Sequence, residues 1–266
     1  MKYNLGHPPP HAVDMSRPAQ GTEQYPVSSI APEGNGGREC LQCSVRHLSV
    51  CSALSCDEVH ALEQITVSTP VAMGTTLARA GEPRAYVYTV TEGALRLVRT
   101  LADGRRQVNG FVLPGDYLGL SGSDHHRYDI EAIADSRVCR VPTTQMRDLR
   151  QRYPHLERKL LQRACQELDA AQDNALALAR LQPPERLADF LLRLAAREAT
   201  LNGRSSNRVS LPMGRGDIAD HLGLTMETVS RTFTKLRQQG LIALPHLNVV
   251  EILDFAELQQ LANDEF

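Results

Sequence analysis

The chain has 266 residues, of which 42% are hydrophobic and 23% are charged, and its formal net charge is −2 at pH 7. This composition is typical of a folded protein of one or two domains and excludes wholesale disorder. No apolar run approaches the roughly 18 residues that a membrane span requires. The N-terminal stretch also lacks the apolar core of a secretory signal, so we expect a cytoplasmic protein.

Residues 1–39 are rich in Pro, Gly and Ser and show no sustained apolar period, so we predict a disordered N-terminal arm. Four of the six cysteines then follow within seventeen residues, at Cys40, Cys43, Cys51 and Cys56. In a reducing compartment such clustering indicates metal binding or redox chemistry rather than a disulfide framework. Residues 40–56 are therefore predicted to be a distinct cysteine segment that binds a cofactor.

Residues 57–153 begin with apolar positions at helical spacing and then change to short strands separated by turns. The strand-like runs span residues 85–91, 94–100, 107–113, 128–134 and 137–141. Asp103 and Gly104 lie where a hairpin should reverse. Several short strands at close spacing predict a sandwich or barrel rather than alternating strands and helices.

A long helix is predicted over residues 154–182, because Pro154 suits the first helical position and two prolines follow the segment. Apolar residues recur along it at three- and four-residue steps: Leu156, Leu160, Ala164, Leu168, Ala171, Ala175 and Leu178. A helix of roughly 28 residues is about 42 Å long, more than a small barrel can cover. We therefore predict that it pairs with a second copy, with packing on its own domain as the alternative. Cys165, beside this row, is expected to be a small packing residue.

Residues 183–262 contain two helices joined at Gly223, the second of which ends at Gly240. Their inward-facing apolar positions are Ile218, Ala219, Leu222, Val229, Phe233 and Leu236. Residues 203–240 carry six cations against three anions, a charge that suits a polyanion. Residues 248–253 predict a short strand, the wing of a winged helix-turn-helix.

The second of these helices opens at Thr225, and its first turns carry the residues that would reach DNA bases. Glu227, Ser230 and Arg231 lie three and four residues apart on one outward face. Arg can bind guanine O6 and N7, Glu can accept from the cytosine amine, and Ser can do either. The alternative is a surface ion pair worth about 0.2–0.5 kcal/mol, but the surrounding motif favours DNA reading. Thr225 and Thr228 complete the predicted DNA-binding set.

The spacing Cys40-x2-Cys43-x7-Cys51 offers three clustered thiolates, and the distant Cys139 could supply a fourth. Four thiolates suit either tetrahedral zinc or an iron–sulfur cluster. Three clustered thiolates with one remote thiolate favour the cluster, because zinc usually takes two close pairs. Cys56 stays open as a thiol at a helix start, a substitute ligand or a sensor thiol.

The run ETVSR, from Glu227 to Arg231, resembles the recognition motif of the FNR-like branch of the CRP/FNR family of bacterial regulators, and the likeness extends from about Cys40 to Leu261. The resemblance implies an α+β fold: an N-terminal cyclic-nucleotide-binding-like β-barrel (a double-stranded jelly roll), a dimerisation helix and a C-terminal winged helix-turn-helix. It also implies a homodimer that binds double-stranded DNA at a palindrome of the TTGAT-N4-ATCAA type and works with RNA polymerase. Arg231 would then read guanine, Glu227 the paired cytosine and Ser230 a thymine.

The same resemblance implies an oxygen-responsive regulator that activates or represses genes of anaerobic metabolism. A [4Fe–4S] cluster on Cys40, Cys43, Cys51 and Cys139 would stabilise the dimer without oxygen. Cys139 matches the family's fourth position in its V-C-x-x-P setting, whereas the gap before Cys51 is longer than in the enterobacterial pattern. The alternative is a regulator of the same fold that senses redox state or nitric oxide through thiols or another cofactor.

Two other classes are less well supported by the sequence. Cyclic-nucleotide-responsive members read the phosphate with an Arg-Ser or Arg-Thr pair after a Gly-Glu turn, and residues 114–132 lack that pair, so we expect no cyclic nucleotide. No second cofactor motif accompanies the cysteines, so we expect no enzyme. By analogy with the family, the hairpin around Asp103 and Gly104 is a candidate RNA polymerase contact.

Overall fold

The computed structural model describes residues 40–203 and 206–263, and the arm predicted over residues 1–39 lies outside them. Within these two ranges, no helix is long and apolar enough to cross a membrane. The chain passes through a cysteine segment, a strand-rich domain, a long helix and a second, mainly helical domain.

The strand-rich domain consists of two four-stranded antiparallel sheets, which confirms the predicted barrel of short strands. Its strands are β1 (Val67–Val71), β2 (Thr76–Ala78), β3 (Tyr86–Glu92), β4 (Leu95–Thr100), β5 (Arg106–Val112), β6 (Tyr117–Leu118), β7 (Asp129–Ala132) and β8 (Ser136–Pro142). One sheet has the order β1-β8-β3-β6 and the other the order β2-β7-β4-β5. Strands β1, β2 and β6 were not predicted, and two of these have only two or three residues.

Strands β3 and β8 separate two apolar layers, because successive side chains along a strand point to opposite faces. Val90 and Val138 lie in the core between the two sheets. Val87 and Val141 face the other way and belong to a second buried cluster, which the helices cover. The cysteine segment and the long helix therefore pack on the outer face of this sheet.

The covering layer comprises a 3-10 helix, Val50–Ala53, and helices α1 (Cys56–Glu63), α2 (Thr143–Arg152) and α3 (Pro154–Arg180). Helix α3 begins at Pro154 as predicted and ends two residues before the predicted boundary. Helix α2 was not predicted, because only Met146 and Leu149 of its ten residues are buried and its apolar period is weak.

The apolar row predicted along α3 is partly buried by the chain's own residues and partly exposed to solvent. Leu156 and Leu160 pack into the chain's own cluster beside Val50 of the 3-10 helix. Near the other end, Leu178 lies against the turn at Gly223. Leu156 and Leu160 therefore belong to the chain's own core, which corrects the start of the predicted dimer row. The middle is open to solvent: Leu161 and Leu168 are exposed at a seven-residue spacing, and Leu168 is 58% exposed.

The second domain has α4 (Pro183–Asn202), β9 (Arg208–Ser210), α5 (Arg215–Leu222), α6 (Met226–Gln238), β10 (Ile242–His246), β11 (Val249–Ile252) and α7 (Phe255–Asn263). Strands β10, β11 and β9 form a small antiparallel sheet in that order, and β11 lies within the predicted wing strand. All six apolar positions predicted to face inward from α5 and α6 are buried in one core. Helix α7 was not predicted, and Leu258 anchors it to that core.

Candidate functional site

Helices α5 and α6 form the helix-turn-helix, and Gly223 makes the tight turn between them. Gly223 has a φ of +64°, a left-handed conformation that a residue with a side chain rarely adopts. A Cβ added there would also lie 3.3 Å from Leu178 Cδ2 on α3. The turn therefore needs glycine for its backbone, and the motif is seated against the end of the long helix.

Helix α6 presents the predicted base-reading side chains to solvent. Thr225 caps its N-terminus, since its hydroxyl accepts a hydrogen bond from the Thr228 N–H at 3.1 Å. Glu227 and Arg231 are 75% and 70% exposed, and their nearest charged atoms are 3.5 Å apart. So exposed a pair is worth less than about 1 kcal/mol, and Arg231 can leave it for a base at little cost.

An exposed methionine stands beside these polar residues, and sequence reasoning missed it. Met226, the first residue of α6, is 62% exposed, and its carbonyl accepts a hydrogen bond from Ser230 Oγ at 2.9 Å. An apolar side chain in the first turn of a reading helix suits the methyl group of thymine. The signal available in the sequence was its position directly after the capping residue.

The positive charge counted in the sequence is divided between two environments. Arg231, Lys235 and Arg237 are exposed on α6. Arg215, at the start of α5, instead lies over the Phe233 ring, with its guanidinium carbon 3.3 Å from the ring centre. Burial lowers the pKa of Arg215 to about 10, so it remains charged at neutral pH. The cations available on the reading helix itself are therefore the three on α6.

Helix α5 is docked on the strand-rich domain by ion pairs. Arg96 on β4 donates to Asp217 on α5 and also lies 2.6 Å from the Glu131 carboxylate on β7. Arg106 on β5 lies within 4.0 Å of both carboxylates and 3.9 Å from Asp220. The first helix of the DNA-binding motif is thus held by the β4–β5 hairpin.

His221 completes this docking on the apolar side. Its Nδ1 donates to the Val108 carbonyl on β5 at 3.1 Å. Its ring centre lies 5.2 Å from that of Phe111 on β5 and 5.6 Å from that of Phe190 on α4. Burial lowers the pKa of His221, because a charged imidazolium loses its hydration between two aromatic rings.

We expect acid to loosen this contact. As pH falls below 6.5, the ordinary pKa of histidine, the unfolded chain takes up a proton that folded His221 resists, so the free energy of unfolding decreases. The slope from this group is at most about 1.4 kcal/mol per pH unit. The decrease in the free energy of unfolding from pH 7.5 to pH 5.5, measured by chemical denaturation, should therefore be larger for the wild type than for His221→Asn. Equal decreases in the two proteins would show that His221 is not the source of this pH dependence.

Cys139 occupies the centre of the sheet, beneath the cysteine segment. It lies on β8, paired with Ser68 on β1 and Thr89 on β3. Cys139 lies two residues before Val141 on the same strand, so the two side chains point to the same outer face of the sheet. Cys40 and Cys51 pack against the same outer cluster as Val141. The fold therefore brings a distant cysteine to the segment that holds the other three.

Cys40 lies close enough to the other three thiols of this set for their charges to influence its pKa. The pKa of Cys40 is raised to about 12, mainly by burial and in smaller part by the nearby Cys139 and Cys51. Cys43 acts in the same direction on Cys40, and Cys51 also has a raised pKa because it is buried. Cys40 and Cys51 therefore resist ionisation in this shielded place unless a cation compensates the negative charge of their thiolates.

Four neighbouring thiols are the donor set of an iron–sulfur cluster, in which each iron takes one thiolate, so the residues present fit that group. As placed, no three Cys, His, Asp or Glu side chains in the described ranges are gathered closely enough to hold a single metal ion. The segment is tied down at Cys40, whose backbone N–H donates to Glu63 Oε1 at 3.1 Å. At Cys51, the N–H donates to Ser49 Oγ at 3.3 Å.

The two remaining cysteines are both exposed. Cys56 is the first residue of α1 and is exposed, in agreement with the prediction of a helix-start thiol. The capping box of Ser55 and Glu58 fixes the start of that helix. Cys165 is exposed on α3 in the single chain, beside the open row of Leu161 and Leu168.

Comparison with known proteins agrees with this architecture. Residues 69–153 match the cyclic nucleotide-binding domain, and residues 185–261 match the Crp-like helix-turn-helix domain. The two matches coincide with the strand-rich domain and with the domain that carries α5 and α6.

Whole-length relatives are also regulators. The chain is 39% identical over 236 residues to the nitrogen fixation regulation protein FixK of Bradyrhizobium diazoefficiens, covering 89% of this chain and 98% of FixK. It is 37% identical to the transcriptional activator protein FnrL of Cereibacter sphaeroides, covering 85% of this chain and 92% of FnrL. The solved structure of FixK2 from Bradyrhizobium japonicum superposes with a TM-score of 0.69 at 35% identity, covering 74% of this chain and 97% of FixK2. The chain therefore belongs to the CRP/FNR family of DNA-binding transcriptional regulators and is not an enzyme.

Proposed function

We propose that this protein is an oxygen-responsive transcription activator, or at some promoters a repressor, that acts in the cytoplasm as a homodimer. A [4Fe–4S] cluster held by Cys40, Cys43, Cys51 and Cys139 would favour the dimer in the absence of oxygen. The observation that carries the proposal is that Cys40 and Cys51 pack on the outer face of the β1-β8-β3-β6 sheet, where Cys139 points, and that Cys43 and Cys139 lie within electrostatic range of Cys40. When bound, the cluster supplies an oxygen-labile cross-link between the cysteine segment and β8.

The cysteine segment is placed to influence dimerisation because it packs directly on α3. Val50, next to Cys51, shares a buried cluster with Leu156 and Leu160 on the first turns of that helix. The exposed apolar row begins immediately afterwards, at Leu161. Ordering of residues 40–51 would fix the start of α3 and so support helix pairing. Its release would favour monomers, as a ligand-biased two-state element requires.

Dimerisation would in turn decide DNA affinity. Two copies of α6 related by a two-fold axis match a palindrome whose half-sites lie one helical turn, about 34 Å, apart. We propose a site of the TTGAT-N4-ATCAA type, in which Arg231, Glu227 and Ser230 contact the bases. A monomer would bind only one half-site. RNA polymerase would contact the tip of the β4–β5 hairpin, where Asp103 and Gly104 are exposed.

The strand-rich domain is proposed to work without a cyclic nucleotide. Between its sheets, large side chains such as Tyr88, Leu95 and Val112 fill the core. The stretch from residue 114 to residue 132 also lacks the Arg-Ser or Arg-Thr pair of the nucleotide-responsive branch.

Purification under argon tests the proposal directly. We expect a brown protein with iron and acid-labile sulfide near four per chain, a dimer in sedimentation, and binding to the palindrome that weakens after exposure to air. A metal-free protein whose DNA affinity is the same in air and under argon would overturn the proposal. A metal-free protein whose affinity changes with thiol oxidation would instead support the alternative of a cysteine sensor.

A further inference from the structure

The turn Pro114–Asp116, between β5 and β6, contacts three parts of the chain that serve different roles. It is fixed to β3 by two backbone hydrogen bonds: Gly115 N–H donates to the Val90 carbonyl at 2.9 Å, and Val90 N–H donates to the Asp116 carbonyl at 3.0 Å. These two hydrogen bonds fix the position of the turn relative to β3.

On one side, the turn carries the loop between two of the proposed cluster ligands. Leu48 lies between Cys43 and Cys51, and a Cβ added to Gly115 would be only 2.8 Å from Leu48 Cβ. Gly115 also has a φ of +93°, in the region that favours glycine. Glycine thus allows Leu48 to sit directly on the backbone of the turn.

On the other side, Asp116 binds two arginines from different helices. Its Oδ1 lies 2.5 Å from Arg163 Nη2 on α3, and its Oδ2 lies 2.7 Å from Arg197 Nη2 on α4. Arg197 Nη2 also donates to the Pro114 carbonyl at 3.2 Å, and Leu113 N–H donates to Asp116 Oδ2 at 2.9 Å. Only 13% of the Asp116 side chain is exposed, so these charge-assisted bonds are shielded from water.

We propose that the Pro114–Asp116 turn couples the cysteine segment to the dimer helix and to the DNA-binding domain, with Asp116 as the positioning residue. This inference rests on the proposed function, because it takes the cysteine segment to be the part that changes state. Because Leu48 packs on Gly115, a shift of the loop would also shift the turn. Through its ion pair with Arg163, Asp116 would then shift the helix that pairs the two copies. Through its ion pair with Arg197, it would shift the first helix of the DNA-binding domain.

Asp116→Asn tests the coupling, because asparagine keeps the shape of the side chain and removes its charge. We measure iron and sulfide per chain, and the ratio of the dissociation constants for the palindrome in air and under argon. The variant should keep its iron while the ratio falls by about tenfold, within the range known for side chains that couple sites. Glu82→Gln is the matched control: it removes a carboxylate charge from the exposed pair of Glu82 with Arg79, and its ratio should stay unchanged.

Three further variants separate the steps. Leu48→Ala should keep the iron and lower the ratio, as Asp116→Asn does. Arg163→Gln should shift the argon-purified protein toward monomers in sedimentation. Arg197→Gln should leave the dimer intact and weaken its binding to the palindrome.

Each failure has a distinct result. A wild type without iron and with a ratio of one rejects the proposed function itself. A wild type with iron whose ratio survives in Asp116→Asn overturns the coupling alone. Loss of iron or a lowered midpoint of thermal unfolding in both Asp116→Asn and Leu48→Ala would also overturn it, because the turn would then only support the fold.

Discussion

Replacing Arg231 with alanine is expected to weaken binding to the palindrome by about 1–3 kcal/mol per half-site and to relax selection at one base pair. The side chain is 70% exposed, and its pair with Glu227 is open to solvent, so the variant should lose little folding stability. The measurement is binding to the palindrome and to a set of sites with each base pair changed in turn.

Lys235→Ala is the control on the same helix. Lys235 is exposed, one turn beyond Arg231, and as a phosphate contact it should weaken binding to all sequences by a similar factor. Its loss should also reduce the salt dependence by about one phosphate contact. If Arg231→Ala keeps the wild-type order of preference among the changed sites, Arg231 does not read a base.

Replacing Cys139 with serine is expected to remove iron from the argon-purified protein and to leave it monomeric, while the domain stays folded. Serine is close to cysteine in size, and the strand pairing of β8 through Ser68 and Thr89 uses backbone groups, so the sheet should survive. Iron and sulfide analysis, sedimentation and circular dichroism check the three parts of this expectation.

Two cysteine variants serve as controls. Cys165→Ser should be nearly silent, because Cys165 is exposed on α3 and serine has a similar size. Cys56→Ser should likewise keep the iron, since Cys56 starts α1 with its side chain exposed. If Cys56→Ser loses the iron and Cys139→Ser keeps it, the fourth ligand is Cys56.

The parts of the fold that could be predicted are those where local periodicity decides the structure. The 3.6-residue period on α6 requires Val229, Phe233 and Leu236 to face inward, and therefore turns Glu227 and Arg231 outward. Alternation along β8 likewise gives Cys139 an outward face. That Cys40 and Cys51 lie on this same face depends on how the segment packs, and only the family resemblance suggested it.

The domain docking could not be predicted, because it joins residues far apart in sequence. Arg96 and Asp217 are 121 positions apart, and each looks like an ordinary surface charge on an amphipathic element. In the sequence His221 also looks like an ordinary surface residue, and only the structure shows that Phe111 and Phe190 lie beside its ring. The start of the dimer row on α3 was wrong for a related reason: burial of Leu156 and Leu160 by the chain's own domain and burial by a partner leave the same apolar period.

The ion pairs that dock α5 have a consequence for how binding to DNA is measured. A protein that contacts DNA phosphates releases counterions, and added salt makes this release less favourable, so affinity falls with a slope that is commonly read as a number of phosphate contacts. Here Arg96, Arg106 and Asp217 are between 15% and 38% exposed, and dissolved ions weaken their attraction as well. Salt thus also weakens the contact between α5 and the β4–β5 hairpin, so we expect the measured slope to contain a contribution from this contact besides the phosphates.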